Sequence, residues 1–236
     1  MTVDDAERDK TLTSIAETIG AKSTWVPYPG GYPNEVAAAL LDSVFSLRAV
    51  YGSSPDTGVR RIVTNWRSHV GQVRTLNSLS EFVVDVDAAG GTESLKSILG
   101  SNAVAVPNSK DKPTKAAAVY GVARTLVEFG VDTADEVRKA NVDQPAELFR
   151  AIVRERGIGD AGATYFLMLL GVQGIKADVM IRRFVARAIG ASDISGIDAK
   201  KVMKAAAAAL DVDMRQLDHA IWLKESELAR ASRRRR

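Results

Sequence analysis

The chain contains no cysteine. Disulfides, iron–sulfur clusters, thiolate zinc sites and cysteine nucleophiles are thereby excluded. Its two histidines, His69 and His219, are too few for a histidine-rich metal site. No metal and no cofactor is expected. Aromatic residues make up 6% of the 236 positions, and β-branched runs are few, so the residues give little support to a sheet. Long hydrophobic runs are missing too. The longest, 161–172, is too short to span a bilayer. The charged start, MTVDDAERDK, lacks the apolar core of a signal peptide. A cytoplasmic protein with no membrane partner is the expectation.

One charge sign dominates only at the end. The formal net charge is +3, and without the four terminal arginines it is −1. Bulk charge is therefore no argument for a nucleic-acid partner, and placement must carry it. What the chain does have is Ala- and Leu-rich segments at helical spacing, interrupted by Gly and Pro. Residues 5–20 read as a first helix through Leu12, Ile15, Ala16 and Ile19. STWVPYPGGYP is a loop whose Trp25, Tyr28 and Tyr32 are built to pack. Asn34 is placed to cap a buried helix over EVAAALLDSVFSLRAVY. VRRIVTNWRSHV is amphipathic, with Val59, Ile62, Val63 and Trp66 on one face. SLSEFVVDVDAAGG mixes strand alternation with helical length, and a helix is favoured.

Further helices are predicted over ESLKSILG, TKAAAVYGVARTLVEFG (closed by Gly130), DTADEVRKA and QPAELFRAIVRERG, with Pro145 in its first turn. DAKKVMKAAAAAL and DMRQLDHAIWLKESELARAS complete an all-α class of about ten helices, followed by a disordered Arg233–Arg236 tail. No repeat at solenoid period is present.

The most informative stretch is RGIGDAGATYFLMLLGVQGIKADVMIRRFVARAIG. Gly157-Ile158-Gly159 forms a tight turn between two helical patterns, with Asp160 placed to cap the second. Backbone N–H groups at such a turn, together with the helix dipole, suit one phosphate and carry no sequence preference. The same glycines equally make an ordinary corner between two helices. Asp178 follows about twenty positions later and opens a basic helix. Alone it reads as an N-cap. Arg182, Arg183 and Arg187 follow it, serving either phosphate contact or a solvated face. Arg60, Arg61, Arg67 and Arg74 form a second basic group with the same two readings. His219 and Trp222 read as core or boundary residues of the last helix.

Taken together, these pieces resemble the helix-hairpin-helix DNA glycosylase superfamily, the endonuclease III-like and alkyladenine-glycosylase-like proteins. The pieces that carry the resemblance are the Gly157-Ile158-Gly159 hairpin, the apolar helix 163–170, the loop 171–177 and Asp178. EVAAALLDSVFSLRAVYGS resembles the family's first barrel helix, and Lys115-Ala116 stands at its Lys-Ala step. The resemblance covers residues 34–190. It implies two helical subdomains with a helix-hairpin-helix motif, 34–172 and 1–33 plus 173–232, and a basic tail at 233–236.

The implied activity is base excision: binding duplex DNA that carries a damaged or modified base, flipping that base out and hydrolysing its N-glycosidic bond. Asp178 would stabilise the oxocarbenium-like sugar or activate water. Gly157, Ile158, Gly159, Arg182 and Arg183 would hold DNA phosphates. Trp25, Tyr28, Tyr32, Phe45 and Tyr51 are candidates for the base pocket, with core packing as the competing role of each.

Ala161 stands where bifunctional members carry a lysine, so Schiff-base chemistry is unavailable there and a monofunctional enzyme without lyase activity is implied. Ala177 replaces the family's loop proline, and Ser46-Leu47-Arg48 occupies the segment that fills the gap left by the flipped base. A monomer associated with the nucleoid is expected. A non-catalytic DNA-binding protein on the same fold is the alternative, and a helical interaction scaffold a third.

Overall fold

The computed structural model of the chain describes residues 5–49, 52, 54–71 and 75–234. Among these residues the regular structure is twelve α-helices and one 3-10 turn, Lys22–Thr24, with a single isolated bridge between Val104 and Thr114 and no longer strand. The protein is all-α. No helix among the described residues is long and apolar enough to cross a membrane. The chain forms two compact units, 30–172 and 1–29 with 173–236.

The larger unit holds α2 (Val36–Phe45), α3 (Gly58–Val70), α4 (Leu79–Ala88), α5 (Thr92–Leu99), α6 (Lys115–Glu128), α7 (Ala134–Asp143), α8 (Pro145–Arg154) and α9 (Gly159–Leu169). Its centre is α2, buried at every residue. A helix reading VAAALLDSVF has no polar stripe to show to water, so α3, α6 and α9 pack around it.

Both ends of α2 differ from expectation. Asn34 does not cap it; the helix begins after Glu35, which makes no side-chain cap bond. The Leu76 carbonyl instead accepts from the Ala37 N–H at 3.0 Å. Nor does the helix run on to residue 51. It stops at Phe45 because the Lys115 ammonium, 5% exposed, donates to the carbonyls of Phe45 at 2.9 Å and Leu47 at 2.5 Å. Arg48 then turns the chain with φ 54°.

The mixed segment at 79–88 is helical. Ser78 accepts from the Glu81 N–H, and the buried residues Leu79, Phe82 and Val86 recur at helical rather than alternating spacing. Thr133 and Glu136 close a reciprocal capping box on α7. The N–H groups of Asp132 and Thr133 hold the Glu136 carboxyl below its usual range. Gly130, with φ 84°, follows the end of α6.

The smaller unit holds α1 (Asp5–Thr18), α10 (Val179–Ile189), α11 (Gly196–Leu210) and α12 (Met214–Arg234). Ile15, Ile181, Phe184, Val202, Met203, Leu217 and Ile221 form its core. The expected tail boundary moves, since α12 continues through Arg234; Arg235 and Arg236 lie outside the described residues.

Two substitutions separate core from cap in the larger unit. Phe166→Ala, at a fully buried position, is expected to lower unfolding free energy by about 3–5 kcal/mol. Thr133→Ala removes one half of the capping box and is expected to cost about 1 kcal/mol. Denaturant unfolding of the two variants beside wild type checks both; equal effects would contradict this assignment.

Candidate functional site

The hairpin between α8 and α9 is anchored on both flanks. Before the turn, Glu155 accepts from the Thr125 hydroxyl at 3.0 Å. Gly121 makes room for it, since a Cβ there would lie 2.7 Å from Glu155 Oε2. Arg156 reaches the other way and donates to Asp111 at 2.8 Å and to Ser109.

The two turn glycines do different work. Gly157 has φ 114°, and a Cβ on it would lie 2.6 Å from Ala105 Cβ and 3.0 Å from Ala118 Cβ. It is a packing glycine. Gly159 has φ 55° and nothing within 4 Å of its Cβ position, and it is exposed. Ile158 between them is buried. Asp160 does not cap α9. Ile158 is the N-cap, without a side-chain bond, and Asp160 is exposed in the first turn. α9 begins at Gly159, so Asp160 already lies inside the first turn and past the cap position. Ala161 is half-buried.

Gly162 lets the hairpin helix meet the segment after α2. A Cβ there would lie 2.8 Å from Ile158 Cγ1 and 3.3 Å from Leu47 Cδ1. Arg48 of the same segment donates to the Ala105 carbonyl. Lys115, Leu47, Arg48, Ala105 and the hairpin therefore form one connected arrangement within the larger unit.

In the smaller unit Asp178 is the N-cap of α10. Its Oδ1 accepts from the N–H of Met180 at 2.8 Å and of Ile181 at 3.3 Å. Its Oδ2 takes no hydrogen bond among the described residues. The loop leading to it is tightly turned: Ala177 N–H donates to Ile175 O at 3.1 Å and Asp178 N–H to Lys176 O at 2.6 Å. The Lys176 N–H in turn donates to Asp218 Oδ1 at 2.8 Å. Asp218 is 8% exposed. Burial first, and the charge of Asp178 second, push its carboxyl up to about 8.

Sequence reasoning did not single out Asp218. A signal was present. Asp218 and Glu225 stand seven residues apart on α12 beside the buried Leu217 and Ile221, so two carboxylates lie on an inward helical face.

The arginines after Asp178 divide. Arg182 donates to both oxygens of Asp193 at 2.7 and 2.8 Å and to the Ile194 carbonyl at 2.7 Å. It is committed to holding the end of its own helix-loop segment. The Ile194 N–H and then Arg182 keep Asp193 below the usual carboxylate range. Arg187 pairs with the buried Glu225 and lies over the Phe184 ring. Arg183 is exposed and has no hydrogen-bond or ion-pair partner among the described residues. In the other basic group, Arg67 pairs with Glu35 and Arg61 donates to the Gly100 carbonyl at 3.2 Å. Arg74 lies outside the described residues.

The candidate pocket aromatics fall in both units. Trp25, in the smaller, is half-buried against the core and donates its indole N–H to Gly20 O at 3.0 Å. Tyr28, also there, meets His219 edge-on at 5.7 Å, and the Arg215 guanidinium sits over its ring. His219 lies nearly parallel to Trp222, and burial lowers its pKa. In the larger unit Tyr32 donates to Asp42 at 3.0 Å, and burial followed by the Asp42 charge raises its hydroxyl well above the usual tyrosine range. Phe45 is a core residue, 3% exposed. Tyr51 lies outside the described residues.

The family model described as a domain of unknown function, DUF8548, matches residues 9–226. The chain belongs to this family. The match takes in the hairpin, Asp178 and Asp218. No curated protein and no solved structure matches the chain.

In this DUF8548 domain the two hairpin glycines should respond unequally to a methyl group. Gly157→Ala meets both a disfavoured φ and two side chains, and is expected to cost about 2 kcal/mol or more. Gly159→Ala meets only the backbone cost and is expected to lose about 1 kcal/mol. Paired denaturant melts of the two variants measure the difference, and a greater loss at Gly159 would refute the packing role of Gly157.

Proposed function

We propose that this protein is a monofunctional DNA glycosylase of the helix-hairpin-helix kind, acting on duplex DNA that carries a damaged or modified base. The observation that carries the reading is the Asp178 carboxylate. It sits at a helix N-terminus, where one oxygen is spent on capping and the other is uncommitted among the described residues. The helix dipole favours a negative charge at that position. Cleavage of an N-glycosidic bond leaves positive charge on the sugar, which an ionised carboxylate stabilises while it orients water for attack.

Two further features support the same reading. Gly159 offers exposed backbone with open space on its Cβ side, which suits the approach of a phosphate. Arg183, five residues beyond Asp178, is an exposed cation with no partner among the described residues. The base must leave the duplex to be released. With Ala161 in place of a lysine, the reaction ends at an abasic site and the strand stays intact.

The test is base release by the purified chain from a panel of duplexes, each carrying one alkylated, deaminated or oxidised base. Wild type is expected to leave alkali-labile abasic sites without nicking the strand. Asp178→Asn is expected to slow release by roughly a hundredfold or more while binding the same duplex. Salt-dependent binding with no base release across the panel would sink the enzyme reading and establish the non-catalytic DNA-binding one.

A further inference from the structure

We propose that Asp218 is the positioning residue of Asp178: its carboxyl holds the backbone of Lys176 and so fixes the loop that presents the Asp178 carboxylate at the start of α10. The role deepens the glycosylase reading and rests on it for its catalytic consequence, but its geometric content stands alone.

Two buried carboxyls on α12, Asp218 and Glu225, have different partners. Glu225 has a cation, Arg187. Asp218 has no ion pair among the described residues; what it holds is a backbone N–H, that of Lys176. Burying a carboxyl with no ion pair is costly unless a hydrogen bond offsets the lost hydration. The Lys176 backbone supplies one. Its N–H donates to Asp218, and its C=O accepts the Asp178 N–H at 2.6 Å. The backbone of this one residue thus links Asp178 to Asp218. The loop 171–177 has neither a proline nor a helix or strand of its own, so its conformation depends on such external bonds.

The same burial makes the stability of the fold sensitive to pH. Asp178 and Lys176 are the charged groups that act on Asp218, the first favouring its protonated form and the second its ionised form. Of the charged residues on α10, Arg182 is held by Asp193 and Arg187 by Glu225. On α12 itself, His219 faces Tyr28 and Trp222. The folded chain therefore keeps the Asp218 proton more tightly than the unfolded chain does. This favours folding at acid pH, and the contribution is lost as pH rises from the ordinary carboxylate range through about 8. Either protonation state retains an acceptor for Lys176, and so does asparagine.

The experiment compares full-length wild type, Asp218→Asn and Asp218→Ala by amide hydrogen exchange and by unfolding between pH 4 and 9. In Asp218→Asn the Lys176 amide is expected to exchange within about twofold of wild type, and in Asp218→Ala roughly tenfold faster or more, as loss of one buried hydrogen bond implies. The asparagine variant should also lack the loss of stability that wild type shows toward pH 8. On a duplex substrate, Asp218→Ala should lower the base-release rate at unchanged DNA affinity, and Asp218→Asn should restore it at neutral pH.

Wild-type exchange at Lys176 in the alanine variant overturns the proposal. Should that variant fail to fold, Asp218→Leu, of similar size and without an acceptor, takes its place: wild-type exchange at Lys176 overturns the proposal, and faster exchange supports it. If wild type itself releases no base, the enzyme reading fails while exchange and stability still decide the role of Asp218.

Discussion

The larger unit depends on satisfying the ends of a helix that never reaches water. α2 is buried along its whole length, so its terminal N–H and C=O groups must find partners inside the protein. At the start, the Leu76 carbonyl takes the Ala37 N–H. At the end, one ammonium, that of Lys115, takes two carbonyls. A buried lysine is costly unless hydrogen bonds of this kind offset its lost hydration. Here the cation also meets the negative end of a helix dipole. The bond closes α2 from the first residue of α6. It fixes the segment whose Leu47 lies at the hairpin helix and whose Arg48 reaches the Ala105 carbonyl.

From that anchor the hairpin follows by sterics. Gly157 is squeezed between Ala105 and Ala118, on the loop before α6 and on α6 itself. The Lys115 N–H donates to the Ala103 carbonyl and the Ala105 N–H to Pro113, which holds that loop to the same helix. A rigid floor under one glycine leaves the other, Gly159, on the open side. In the smaller unit the comparable constraint is α12, whose inward face carries Asp218 and Glu225 among apolar residues. Each carboxyl is matched to a separate group on or ahead of α10, an arginine for one and a backbone N–H for the other. Paired in this way, the carboxyls tie α12 to both ends of the segment that Asp178 begins.

Much of the helical plan was legible because helix signals are local. The apolar face of α3, the Pro145 start of α8 and the Gly130 stop after α6 are set by residues within a turn or two of each other. The capping role of Asp178 was legible for the same reason. Asn34 and the run 46–49 were misread because distant groups decide the ends of α2, and Asp160 because α9 already starts at Gly159. Leu76 serves the N-terminus of α2, Lys115 shortens its C-terminus, and the turn at Ile158 begins α9 before Asp160. The arginines were opaque in a similar way. Nothing near Arg182, Arg183 and Arg187 in sequence says that two of them are spent on Asp193 and Glu225 and the third is not.

The sequence by itself determined the all-α class, the positions of most helices, the exclusion of thiol chemistry and the presence of a Gly-Ile-Gly turn followed by a helix-capping aspartate. These rest on residue type and spacing within one or two turns of chain. Only the tertiary structure decided which glycine of the turn is packed and which is open, which arginines are spent on ion pairs, and that Asp218 accepts the Lys176 N–H. Those outcomes depend on contacts across tens of residues, where burial and the supply of hydrogen-bond partners are properties of the packed chain and of no local segment.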